Sequence, residues 1–485
     1  MLGKNKYLLK SILTFKDGLV WTIFHMALGA LATVSPYPII AWYYLLVFDT
    51  IRAFIFVEGK ERNFVLAYAL VYFSSFELIG RMSSSSPYIP YESSKYIMMV
   101  LSLIGISFNV KNLKFSNLGF ILLLLLLPSL FIDQSGLVKV SDIIFNLFGI
   151  FNIAFALIFL GTLQVDRWKF VSWVRLIAFP IIPVLVYVFL KTPDYSDLEF
   201  ELSANFDTTG GFGSNQVSTV LGLGAFLFAV ALILNYRITT NKLFDIVLFS
   251  AFSLQGLLTF SRGGMIGAAL GLFTLIYFLL KVGKNQLKVL KIPNPKKYIL
   301  PTVIGLVFFF ILGNIITGGN LALRYQGQTA GTMTGNHEVD FNKFTSARWQ
   351  LFAEDMVVFA EYPIFGAGGA SSKYLRNLTQ NEITHVELSR LIAEHGMFGL
   401  MITVLFGVMY FRIRDSKIDG INKAVQMSFF VLAIFTSFHA ATRTFLTPLL
   451  VSLSMVTIVD YSKIKAVKKK KAERAKLQSF MAGQI

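Results

Sequence analysis

Runs of about 16 to 23 mostly apolar residues recur along this 485-residue chain, and no other feature limits its fold so strongly. A helix rises about 1.5 Å per residue, so such a run can cross a hydrocarbon core about 30 Å thick. Inside that core the backbone N–H and C=O groups have no water to bond, and a helix satisfies them within one segment. The pattern predicts an all-α polytopic membrane protein with about 12–14 transmembrane helices and one long polar loop containing amphipathic helices. The apolar runs centre on 19–33, 39–54, 64–79, 96–108, 118–131, 143–163, 171–190, 217–235, 244–260, 265–280, 299–316, 397–411, 424–438 and 445–461. The fourth is short, which leaves a re-entrant segment open. Composition agrees: 55% of residues are hydrophobic, 15% are charged and the mean hydropathy is +0.64, a balance foreign to soluble domains.

Five regions follow: a transmembrane scaffold over 1–190, helices with an acidic loop over 191–316, the polar loop 317–396, further transmembrane helices over 397–461, and a basic tail over 462–485. Lysine and arginine accumulate in short cytoplasmic loops. With the N-terminus inside, most of the 44 Lys and Arg residues fall in inner segments, including Lys4 to Lys16, Lys281 to Lys297, Arg412 to Lys423 and Lys468 to Lys471. Most of the 27 acidic residues fall outside. Both termini are therefore expected in the cytoplasm, with 317–396 on the far side of the membrane. The +17 net charge reads as orientation and attraction to anionic lipid headgroups, not as a nucleic-acid footprint. Lys4 to Lys16 followed by an apolar run ending in Ala30-Leu31-Ala32 imitates a secretory signal, but the many later spans fit an uncleaved first helix. With no cysteine, thiolate chemistry and disulfides are excluded.

The polar loop carries the densest chemistry. Thr384-His-Val-Glu387 has capping-box spacing, which would make His385 the first residue of a helix. A helix start attracts anions and disfavours imidazole protonation, so a neutral His385 there fits a catalytic base. Ser346 to Ala360 reads as an amphipathic helix on the membrane surface, with Trp349, Phe352, Met356 and Phe359 on one stripe. Arg348 in its first turn opposes the helix dipole, which suggests a role beyond the helix. Gly366-Ala-Gly-Gly369 follows, and Glu387, Arg390 and Glu394 have intrahelical ion-pair spacing. His337 and His395 read as surface residues.

Upstream, Ser261-Arg262-Gly263-Gly264 opens a helix at the outer face. Arginine with a helix end is a phosphate-binding combination, although Arg262 could equally snorkel to lipid phosphate, and the two glycines admit a close approach. Asn215-Gln216 could bind sugar hydroxyls or cap a helix. Asp194-Tyr-Ser-Asp197, with Glu199, Glu201 and Asp207, reads as a solvated acidic loop before a divalent-metal site. Glu77 and Arg81 read as a snorkelling ion pair before a substrate contact. No metal- or nucleotide-binding spacing occurs, so neither ATP nor a metal cofactor is expected.

These motifs resemble the O-antigen ligase and O-antigen polymerase superfamily of bacterial envelope proteins. The resemblance lies in Ser261-Arg262-Gly263-Gly264, in Arg348-Trp-Gln-Leu-Phe with Pro363-Ile-Phe-Gly366, in Thr384-His385-Val-Glu387 through Gly399, and in the position of Asn215-Gln216. The family commonly has asparagine where this chain has Val386. The resemblance implies transfer of a glycan from undecaprenyl diphosphate to an acceptor hydroxyl on lipid A-core, on another lipid-linked glycan or on protein. Arg262 and Arg348 would hold the diphosphate and His385 would activate the hydroxyl, with Asn215, Gln216, Gly263, Gly264, Glu387 and Arg390 in support. A lipid-linked oligosaccharide flippase is the competing class, and a structural scaffold a third. Against the flippase, the chemistry gathers in one asymmetric outer loop rather than at mid-membrane.

Overall fold

The apolar runs fold mainly as helix in the computed structural model, which describes residues 7–114, 117–193, 202, 206–289, 292–335, 338, 340–382, 385–442 and 444–459. Among the described residues seven helices are both long and apolar enough to cross a membrane: Tyr37–Phe56, Val140–Gly161, Lys169–Lys191, Ser214–Ile233, Arg262–Leu280, Lys296–Ile316 and Met397–Arg414. The molecule is thus an all-α polytopic membrane protein. The fourth run is one continuous helix, Ser93–Phe108. The last run departs from expectation, because its helix ends at Ser454. Thr457–Val459 pairs instead as a parallel strand with Gln164–Asp166, Gln164 opposite Thr457. Thr457, Ile458 and Val459 are β-branched, which favours extended backbone.

Ser214–Ile233 and Lys169–Lys191 are buried along nearly their whole length, whereas Lys296–Ile316 is exposed along most of its own and faces outward. Association between helices in lipid depends on close packing, which small residues permit. A Cβ on Gly264 would lie 2.1 Å from the Ser218 carbonyl oxygen, and one on Gly222 would lie 2.3 Å from the Gly264 oxygen. Neither backbone can yield without parting the two helices. Gly264→Ala is therefore expected to destabilise the fold by about 1–3 kcal/mol. Thermal unfolding in detergent would read this, with Gly305→Ala as the comparison, since nothing lies within 4 Å of Gly305. Equal melting of the two variants would contradict the packing argument.

The long segment between Lys296–Ile316 and Met397–Arg414 contains the helices Asn320–Tyr325, Arg348–Glu361 and Glu387–His395, with shorter turns between them. Arg348–Glu361 buries Leu351, Asp355 and Val358, and leaves Trp349 exposed on the expected aromatic side. A fully buried Arg376–Asp355 ion pair at 2.7 Å joins this helix to the following turn. Ser389 donates to the same carboxylate at 2.6 Å and so draws in Glu387–His395. The glycine turn is a latch between segments. Gly366 and Gly368 take φ of +78° and +98°, and the amides of Ala367 and Gly368 donate to the carbonyls of Ala393 and Glu394 at 2.9 and 3.0 Å.

Two expectations fail for one reason, which is that the partners are remote in sequence. Glu77 and Arg81 do not snorkel. They are buried as an ion pair, with Arg81 also reaching Glu92 at 3.2 Å and Gln216 at 3.1 Å, while Glu77 accepts from the Phe445 amide at 2.6 Å. His395 is 1% exposed, not a surface residue, and burial lowers its pKa to about 3, leaving it neutral. His337, Asp194, Asp197, Glu199, Glu201, Thr384 and the Lys468 to Lys471 tail lie outside the described residues.

Candidate functional site

Three arginines from separate elements meet at one end of the bundle. Arg262 is the first residue of Arg262–Leu280, Arg348 is the first of Arg348–Glu361, and Arg324 lies in the last turn of the short Asn320–Tyr325 helix. Arg262 donates to the Arg324 carbonyl at 3.1 Å and to Ser346 Oγ at 2.9 Å, and its guanidinium lies 5.4 Å from the Phe344 ring centroid. Arg324 donates to the Leu202 carbonyl at 3.1 Å. Arg348 donates to the carbonyls of Thr345 at 3.0 Å and His439 at 3.3 Å. These acceptors are neutral, so they orient the guanidiniums without cancelling charge. Among the described residues no carboxylate forms an ion pair with any of the three. The Nε groups of Arg324 and Arg348 are buried without a hydrogen-bond partner.

Burial lowers the pKa of Arg348 to about 10, and repulsion from Arg262 and Arg324 adds to the shift. Arg324 is lowered to about 10 by burial and then by Arg262. Both remain charged at neutral pH. Desolvated, mutually repelling cations with spare donors have the chemistry to hold an anion, and guanidinium forks suit phosphate oxygens.

His439 completes the wall beside this cluster, and sequence reasoning passed over it. A Cβ on Gly263 would lie 2.3 Å from the His439 ring, so that glycine is required by the histidine. Gly264 is likewise taken by the Ser218 backbone, so of the two close approaches left open, by another backbone or by a ligand, both are made by the protein itself. His439 Nε2 lies 3.1 Å from Thr219 Oγ1, and burial, followed by the charge of Arg348, lowers its pKa to about 3. The available signal was its place: His439 lies between two apolar runs whose alternation puts it at the same end as Arg262.

His385 sits next to this wall. Its carbonyl accepts from the Ala441 amide at 3.1 Å, two residues beyond His439. The structure corrects its expected position: the helix is Glu387–His395 with Val386 at its N-cap, so His385 precedes the helix instead of beginning it. Glu387, the first helical residue, accepts from the Thr442 amide at 3.2 Å and Thr442 Oγ1 at 3.0 Å. It also pairs with Arg390 at 2.5 Å, and Arg390 reaches Glu394 at 4.0 Å, the intrahelical spacing expected.

Asn215 and Gln216 occupy the first turn of Ser214–Ile233. Asn215 Oδ1 accepts from Ser261 Oγ at 2.8 Å and fixes the residue before Arg262, while Gln216 Oε1 accepts from Arg81. Arg262, Arg324, Arg348, His385 and His439 thus converge, Asn215 and Gln216 brace them from one side, and Glu387 with Arg390 turns away into a neighbouring cleft.

An apolar groove approaches the cluster along the membrane-facing side. Leu257, Met265, Ile266, Val307, Phe310 and Tyr325 line it, and Tyr325 adjoins Arg324 in the chain. The groove is open to the surroundings of the bundle.

No curated protein and no solved structure matches the chain. Residues 246–404 match a family model described as O-antigen ligase, a stretch that includes Arg262, Arg324, Arg348, His385 and the glycine turn but neither Asn215 nor His439. Over that stretch the chain is similar to the O-antigen ligase and polymerase superfamily of glycan-transferring membrane enzymes.

Proposed function

We propose that this protein transfers a glycan from undecaprenyl diphosphate to an acceptor hydroxyl at the outer face of the inner membrane. The observation that carries the reading is the three-arginine cluster with no carboxylate partner among the described residues. The apolar groove beside it suits a polyprenyl chain, and the exposed aromatics Phe341, Phe344 and Trp349 are of the kind that sit at headgroup level. In the reaction His385 accepts the proton of the acceptor hydroxyl. The acceptor oxygen bonds to the anomeric carbon as the bond from that carbon to the diphosphate oxygen breaks. The diphosphate leaves with its added charge held by Arg262, Arg324 and Arg348. The diphosphate linkage supplies the driving force, so no ATP enters.

Purified protein in lipid nanodiscs, given a lipid-linked glycan with either lipid A-core or a second lipid-linked glycan, tests the reaction. The product that lengthens identifies a ligase or a polymerase, and no transfer to any acceptor sinks the reading. Activity is expected to survive EDTA, because arginines serve the diphosphate. Loss restored by magnesium would bring the 194–207 loop into the reaction.

Orientation is tested separately. The chain has no cysteine, so single cysteines can be labelled with an impermeant thiol reagent in intact cells. A cysteine at Lys343 is expected to label and one at Lys288 to stay protected. The opposite pattern would place the arginine cluster in the cytoplasm.

A further inference from the structure

A second polar cleft lies across the 439–442 segment from the arginines. Lys95, Asp142, Asn146, Lys373, Arg390 and Glu394 line it, with Glu387 and Thr442 at its back. The two sites share a wall: His439 holds Arg348 through its carbonyl, while Ala441 pins His385 and, with Thr442, faces the cleft. Their electrostatics differ in kind. The cleft's cations are matched by carboxylates, Lys95 with Glu92 at 2.7 Å, Lys373 with Asp142 at 3.5 Å and Arg390 with Glu387 at 2.5 Å. A second diphosphate would find little uncompensated charge here.

Alternating carboxylates, amide and cations instead offer both acceptors and donors, the requirement for binding vicinal hydroxyls. Asn146 Nδ2 donates to both Glu394 oxygens at 3.0 and 3.1 Å, and Arg390 donates to the Asn146 carbonyl at 3.2 Å, so these groups are held in place before any ligand arrives. Arg390 is 9% exposed, yet its Nε has no partner, a buried donor left for an incoming oxygen. Half of Phe145 is exposed at the rim, a face on which a sugar ring can stack.

We infer that this cleft is the acceptor subsite and that it binds the hydroxyl-rich end of the acceptor glycan, with His385 on the boundary between it and the donor diphosphate. This rests on the transfer reading above, and two kinds of measurement keep the two apart. Asp142→Asn and Lys373→Gln alter the partly exposed rim pair and spare the buried groups. In the transfer assay each is expected to raise the KM for acceptor about 10-fold or more while leaving the KM for lipid donor within about 2-fold. A raised donor KM with an unchanged acceptor KM would assign the cleft to the donor's own glycan and overturn the inference.

Direct binding needs no turnover. Fluorescently labelled oligosaccharides released from the host cell's own surface polysaccharide should bind the full-length protein, bind more weakly to both rim variants, and bind normally to Arg348→Lys. Inorganic pyrophosphate should show the reverse pattern. Equal oligosaccharide binding by wild type and rim variants, no binding at all, or displacement by pyrophosphate would each overturn the subsite. Failure of transfer with rim-dependent glycan binding would remove the proposed reaction and leave a glycan site.

Discussion

Arg348→Lys is expected to lower glycan transfer by about 10²- to 10³-fold although it keeps the positive charge, the loss that follows removal of one preorganised donor to a developing anion. Two of the guanidinium's N–H groups already donate to the carbonyls of Thr345 and His439, and its Nε remains unpaired. A planar fork can keep those anchors and still address phosphate oxygens. A lysine ammonium in the same place must choose between them. Donor binding should fall with turnover, since the diphosphate contact exists before as well as during transfer. The pH dependence has opposite signs for binding and folding. The pKa of Arg348, lowered to about 10, means that the charged form is disfavoured by the fold. That cost is present below about pH 10 and fades as pH rises from there towards the ordinary 12.5. A bound diphosphate reverses the preference, so pyrophosphate should raise the melting temperature at neutral pH, and the gain should vanish as pH passes through 10. Arg348→Lys with wild-type turnover and the wild-type thermal shift would remove the arginine cluster from the reaction.

The membrane helices were legible because their signal is local: an apolar run of sufficient length has few other folds open to it. Arg262 could be singled out for a related reason, since it is polar between two apolar runs, and Arg348 and His385 by their places at expected helix starts in the polar loop. What lies between them was not legible. That Gly263 makes room for His439 and Gly264 for Ser218 depends on contacts across long stretches of chain, and a pair of glycines reads the same whether a ligand or a histidine fills the space. Glu77 and Arg81 carried helical ion-pair spacing, and nothing nearby in sequence announces Phe445 and Gln216 as their further partners. Glu387 had capping-box spacing to Thr384, but Glu387 itself begins the helix and accepts from Thr442, because a remote hydroxyl and amide offer it two hydrogen bonds. His395 was misread for the simplest reason: the glycine turn 366–369 packs on the end of its helix and covers it.

His385→Ala is expected to slow transfer by about 10²- to 10⁴-fold, the range for loss of a general base, while donor binding stays near wild type. The pattern differs from that of Arg348→Lys, in which binding and turnover fall together. Position supports the distinction: His385 is half-buried beside the wall that holds Arg348, and its backbone is fixed to Ala441, so its ring can face an acceptor without contributing to the diphosphate clamp. His439 is the natural rival, but its ring is closed in by Gly263 and bonded to Thr219, with too little access to meet an acceptor. The two can be told apart by pH. A base must be neutral to act, so wild-type transfer should fall on the acid side and should not decline between neutrality and about pH 8. The residual activity of His385→Ala should lack the acid limb, because the group whose protonation produced it is gone. Normal turnover in His385→Ala, or an acid limb that survives the substitution, would show that the proton leaves by another route.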